Sequence, residues 1–204
     1  MKVPHWRDRL SPAQRRTYDK SAAITAIRLR PSTELLQATA ALPEALQRND
    51  RVHIDGLSQK IVNEICRCLG VPGVKVKVEG VRPSNARGEL HGLYTQYGSG
   101  RTDTIKVWMR TAKREQVVAC KTFLRTLLHE VCHHLDYALF HLRDSFHTEG
   151  FFQRESSLFY TVVQPAEGKR AAGVEPPSSL PQESANPSPA RSLSEYVAAY
   201  INKQ

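Results

Sequence analysis

Apolar positions along the chain recur with two periods, and each change of period marks a change of element. Between residues 32 and 48, Leu35, Leu36, Ala38, Leu42, Ala45 and Leu46 fall at helical spacing, while Pro43 in mid-segment weighs against an unbroken helix. Leu57, Ile61, Ile65 and Leu69 form a cleaner stripe, which Asp55 can cap and Gly70 with Pro72 ends. The period then drops to two. Val74, Val76 and Val78 alternate with Lys75, Lys77 and Glu79, as in a half-buried strand. The run from Gly88 to Gly98 reads as a second strand, and Ile105, Val107 and Met109 set one face of a third. Three strands with short connections predict a small antiparallel or mixed sheet. Helical spacing returns from about Arg114 to Leu139, with Val117, Cys120, Phe123, Leu127, Val131 and Leu135 on its stripe. After the loop "FHLRDSFH", Phe151, Phe152, Glu155, Leu158, Phe159 and Val162 outline one more amphipathic helix. The expected class is α+β, with helices before and after the sheet.

Residues 165–191 differ in kind, holding six of the twelve prolines, many Ser and Ala, and almost no large apolar group. Such a segment cannot bury enough surface to fold, so a disordered linker is expected there. Beyond it, Ser192 and Glu195 make a capping box before Leu193, Val197, Tyr200 and Ile201, predicting a short helix over 192–204. The folded domain is therefore expected over 31–164.

Charge sets residues 1–30 apart. They hold eight Lys/Arg against Asp8 and Asp19, which is +6 of the formal +9 of the 204-residue chain. A basic N-terminal arm of this kind suits a polyanion, most simply DNA, through phosphate neutralisation; the plainer alternative is a solvated tail. No run of 18 apolar residues occurs and the N-terminus has no apolar signal region, so neither a membrane partner nor secretion is expected. Cys66, Cys68, Cys120 and Cys132 show no CxxC pair, which predicts free thiols and a cytoplasmic location.

Candidate chemistry concentrates in "LLHEVCHHLDY", Leu127 to Tyr137. His129-Glu130-Val131-Cys132-His133 fits H-E-x-x-H. Residues i and i+4 of a helix differ by about 40° in azimuth, so the two imidazoles aim at one spot suited to a metal. Glu130 is placed to take a proton from a water at that metal. A third ligand must come from elsewhere: Asp136, His141, His147, Glu149 and Glu155 lie downstream, the first two too close on the same helix to swing back. Cys132 reads as packing, His134 as a surface histidine, and Asp136 as a carboxylate that can orient a ligand imidazole.

The stretch from His129 to Phe151 resembles the SprT-like (Spartan-type) branch of the zincin metallopeptidases, which carries H-E-x-x-H on a helix and then H-G-x-x-F after a loop. His147 and Phe151 stand at the matching offset; Thr148 replaces the family glycine, with Gly150 two places on. The likeness covers about residues 74–163, and there is no cysteine after Cys132 to make the zinc ribbon many members carry. It implies a zincin-like domain with its sheet packed on the H-E-x-x-H helix, Zn2+ held by His129, His133 and His147, Glu130 as general base, and a protein substrate. Glu149 and Glu155 stay open as alternative third ligands. The rival reading is a non-catalytic, nucleic-acid-associated adaptor with a zincin-like zinc-binding core.

Overall fold

The computed structural model describes residues 5–86, 88–98 and 100–168. Five α-helices lie among them: α1 (Pro12–Ala23), α2 (Thr33–Gln47), α3 (Arg51–Leu69), α4 (Cys120–Ala138) and α5 (Glu149–Gly168). Strands β1 (Lys75–Val81), β4 (Gly92–Thr95) and β5 (Thr104–Arg110) form a mixed sheet in the order β1-β5-β4. Between β1 and β4, β2 (Ser84–Asn85) and β3 (Gly88–Glu89) make a minimal hairpin. The fold is thus α+β with a small mixed sheet. Helix α5 runs on to Gly168, past residue 165, where the linker is expected to begin; the rest of that linker and the expected C-terminal helix lie outside the described residues.

Alternation puts Val76, Val78, Ile105 and Val107 into the core, while Lys75, Lys77 and Lys106 are exposed. Helix α3 packs on β1, and α4 packs on β4 and β5. The excursion through the hairpin and β4 lets β5 return parallel to β1 (Val78 opposite Val107), with β4 antiparallel on its far side (Gly92 opposite Val107). Both β1 and β4 are therefore edges, and α3 covers one of them. Asp55 accepts the Val78 N–H at 2.6 Å, and Gln59 accepts the Val76 N–H at 2.8 Å and donates to the Val74 carbonyl at 3.0 Å. Side chains thus supply what a neighbouring strand would give β1.

The elements depart from the sequence reading in five other places. The cap of α3 is Asp50, whose side chain accepts the His53 N–H, and Asp55 is freed to hold β1. Pro43 is tolerated inside α2. The run Gly88–Gly98 is two elements: Leu90 donates back to the Pro83 carbonyl, and Asp103 draws the Tyr97 N–H into a turn after β4. Helix α4 starts at Cys120 because Val117 and Val118 pair back onto β5, bridging Arg110 and donating to the Met109 carbonyl. The segment expected as an arm is folded: Pro12 at the first turn and a Ser11–Gln14 capping box start α1, and Arg7 forks onto Asp19 at 2.6 and 2.7 Å. Thr17 and Ser21 of α1 are buried, and its C-terminal turn packs on α5.

Candidate metal centre

Helix α4 turns His129, Glu130 and His133 toward β4 and α5, with the two imidazole centroids 5.0 Å apart. The loop after α4 ends at His147, just before α5 begins. Its Nε2 lies 2.9 Å from Nε2 of His129 and 3.1 Å from Nε2 of His133. Three nitrogens bound tetrahedrally at about 2.05 Å from one zinc would be about 3.3 Å apart, so the spacing is close to that of a ligated set. One turn into α5, Phe151 is fully buried, and its ring lies 4.8–4.9 Å from all three imidazoles, forming a wall that holds them in place.

The outer nitrogens decide the tautomers. Nδ1 of His129 is 3.1 Å from Glu155 Oε2, which can only accept, so the proton sits on Nδ1. Nδ1 of His133 is 2.7 Å from Ser145 Oγ, and that hydroxyl donates to Asp136 Oδ2 at 2.7 Å, so His133 is the donor there too. Both Nε2 atoms therefore point lone pairs at His147 Nε2, which carries one proton at most. A cation at the meeting point satisfies this arrangement and no set of hydrogen bonds does. Burial first, and then the positive charge that His129 carries when protonated, keeps His133 well below the usual histidine range and pushes His147 down to about 3. Both stand as free bases at neutral pH, the form that ligates. The three histidines could hold a metal ion.

Glu130 lies beneath β4. Its side chain lies against Gly92, close to the Tyr94 backbone N–H. Burial pushes this carboxyl up to about 7, against the opposing pull of His129 and the Tyr94 N–H. Gly92 makes the approach possible, since a Cβ there would overlap Glu130 Oε1 and come within 2.8–2.9 Å of its Cγ and Cδ. Gly92→Ala should cost about 1–3 kcal/mol by overpacking, read from urea unfolding of the metal-free protein. An unchanged midpoint would mean that Glu130 moves aside freely.

Behind the histidines is a buried polar network. Arg154 is 0% exposed and binds both oxygens of Asp136 at 2.6 and 2.8 Å. It also donates to the carbonyls of Ser21 and Ile24, ending α1 as a helix C-terminus requires, and to Ser21 Oγ. Ser21 Oγ shares a hydrogen bond with Thr148 Oγ1, which accepts the Phe151 N–H at the start of α5. Gly150 is the point of closest approach: a Cβ would sit 2.5 Å from the carbonyls of Ser21 and Ala22. Thr148 and its neighbours are thus shaped by α1.

The other candidates are placed as follows. Glu155 braces His129 from the side opposite Nε2, and exposed Glu149 pairs with Gln153, so neither is at the point where the Nε2 atoms meet. Asp136 reaches His133 only through Ser145. Cys132 is fully buried and all four cysteines are free. His134, expected at the surface, is 3% exposed and bonds the Pro72 carbonyl at 2.8 Å, because the sheet covers that side of α4. Tyr94 spends its hydroxyl on Asp103. Sequence reasoning missed Ser145, Arg154, Ser21 and Gly92. Only Gly92 had a local signal, a glycine inside an apolar strand, which marks close approach.

Fold and site together define an α+β protein with a three-histidine cluster of metal-binding geometry. No family model, curated protein or solved structure matches the chain. Among the described residues no helix is long and apolar enough to cross a membrane.

Proposed function

We propose that the chain is a zinc-dependent peptidase of zincin-like design, with His129, His133 and His147 as ligands and Glu130 as general base. The observation that carries this reading is the convergence of two Nε2 lone pairs on His147 Nε2 with a buried carboxyl on the same helix, at the free edge of β4. Zinc held there would polarise a scissile carbonyl and lower the pKa of a water to about 7. Glu130 takes the water's proton on its carboxylate and later delivers it to the leaving amine. The outer edge of β4 offers an extended peptide a strand to pair with, beside that carboxylate. A structural centre, as the adaptor reading requires, closes its metal with four protein ligands; the grouped donors among the described residues are three. Arg9, Arg15, Arg16, Lys20, Arg28 and Arg30 are exposed, which keeps DNA as a proposed partner of the N-terminal segment.

The test is metal analysis with a proteolysis assay on a loosely folded protein. The wild type should hold one zinc per chain and cleave. His129→Ala, His133→Ala and His147→Ala should each lose both properties. Full zinc retention by His147→Ala would remove it from the ligand set, and zinc without cleavage of any protein tested would favour the adaptor.

A further inference from the structure

Helix α1 carries Arg16, Thr17 and Lys20 on one face, at helical spacings of one turn. Against that face lies the turn in which the chain leaves α4. Between the two is a cleft of about 280 Å³, with Arg16 and Lys20 on one wall and His141 and Arg143 on the other. Thr17 and Leu142, both buried, line it from within, and the four basic residues are exposed. The walls are tied together. Lys20 Nζ donates to the Phe140 carbonyl at 2.8 Å, and the Leu142 N–H reaches back to the Asp136 carbonyl at 2.8 Å, so both satisfy acceptors left open where α4 ends. His141 makes that turn with a φ of 52°, in the left-handed region where glycine is the least strained residue, and lends its side chain to the cleft.

Charge in the cleft is of one sign. No acidic residue lines it. Arg16 and Lys20 are a like-charged i, i+4 pair, which opposes the helix that carries it. The neighbouring carboxylate of α1, Asp19, is taken by Arg7 at 2.6 and 2.7 Å. Arg48, Arg67 and Arg125 each pair with an acid, whereas Arg16 and Arg143 have no ion pair among the described residues.

Two guanidinium forks and an ammonium around one hollow suit a compact anion of more than one charge. A phosphate group matches, because its oxygens accept from several donors at once and a monoester carries about −1.5 to −2 at neutral pH. The volume is below the roughly 300–1,000 Å³ of sites that enclose a drug-sized ligand, so it takes the phosphate group and little else. A nucleic-acid strand asks for something different, cations in a row along a groove that tracks its singly charged phosphates. We propose that this cleft, between α1 and the turn after α4, binds a free phosphate ion or the terminal phosphate of a small ester, held by Arg16, Lys20, His141 and Arg143. The site needs neither the metal nor the peptidase reading.

The full-length, metal-free chain is titrated by calorimetry, at one fixed ionic strength, with inorganic phosphate, phenyl phosphate and the singly charged diester methyl phenyl phosphate. At least one of the first two should bind at one site per chain, at least about tenfold more tightly than the diester. Equal affinities for those two, or tighter binding of phosphate, identify the free ion; tighter binding of phenyl phosphate identifies an ester. Arg16→Gln and Arg143→Gln, both at exposed positions where folding tolerates change, should each weaken that binding about tenfold or more. Lys106→Gln, at an exposed position of β5, should leave it unchanged. No saturable binding, a diester bound as tightly as the dianions, or a loss in Lys106→Gln equal to that in Arg16→Gln would each overturn the proposal. So would a short oligonucleotide with hydroxyls at both ends that binds more tightly than either dianion and loses that advantage in Arg143→Gln, since the cleft would then be a contact for a nucleic-acid backbone.

Discussion

Glu130→Gln is expected to retain zinc and lose about 10²–10⁴-fold in hydrolytic rate. The substitution keeps shape, so α4 and its contact with Gly92 survive, and the three Nε2 atoms are untouched. It removes the carboxylate that lies against Gly92 beneath β4. A second readout separates chemistry from folding. In the metal-free protein the Glu130 carboxyl is pushed up to about 7, above the range it has in an unfolded chain. The stability it contributes is present at acid pH and is lost as pH rises through 7. The Gln variant has no such proton to lose, so its unfolding midpoint relative to that of the wild type should rise between pH 5 and pH 7 and level off above; the histidines, common to both chains, cancel in the difference. Wild-type activity in Glu130→Gln would exclude the general-base assignment.

Arg154→Met should be the most destabilising single change near the centre, by about 3–5 kcal/mol, because it leaves a buried carboxylate without its counter-charge. Both partners are 0% exposed, so water cannot replace the lost charge. The loss also removes the Arg154 N–H donors from the Ser21 and Ile24 carbonyls at the end of α1. Stability of this size is a large part of the ~5–15 kcal/mol typical of a domain. Adding Asp136→Asn should restore part of it, since the uncompensated charge is then gone. Where the variant folds, zinc affinity should fall about 10–100-fold, because Asp136 and Ser145 no longer hold the His133 ring. Denaturant titration and competition with a chelator measure the two effects. Unfolding within 1 kcal/mol of the wild type, a margin small against the cost of a lone buried charge, would show that Asp136 takes up a proton instead.

What the chain revealed before folding was local. His129 and His133 share a face because a helix of known pitch puts i and i+4 together, whatever surrounds it. Val76, Val78, Ile105 and Val107 point inward because a strand alternates. Gly70 ends α3 because its left-handed φ of 67° suits glycine. The Ser11–Gln14 box that starts α1 is equally local, a signal that the reading of residues 1–30 as a basic arm does not use.

Tertiary structure decided what joins distant segments. His147 meets His129 across 18 residues and a loop, and its aim is set by Phe151 and by Thr148, which α1 holds through Ser21. Arg154 looked like one more polar residue of an amphipathic helix until α1 and Asp136 closed around it. Asp55 had the composition of a cap and became the partner of a strand edge. His134 had the look of a surface residue until the sheet covered it. In each case the side chain's role is fixed by which groups lack a partner once the elements pack: a buried donor or acceptor must be satisfied by whatever lies beside it, and sequence spacing carries no record of that neighbour.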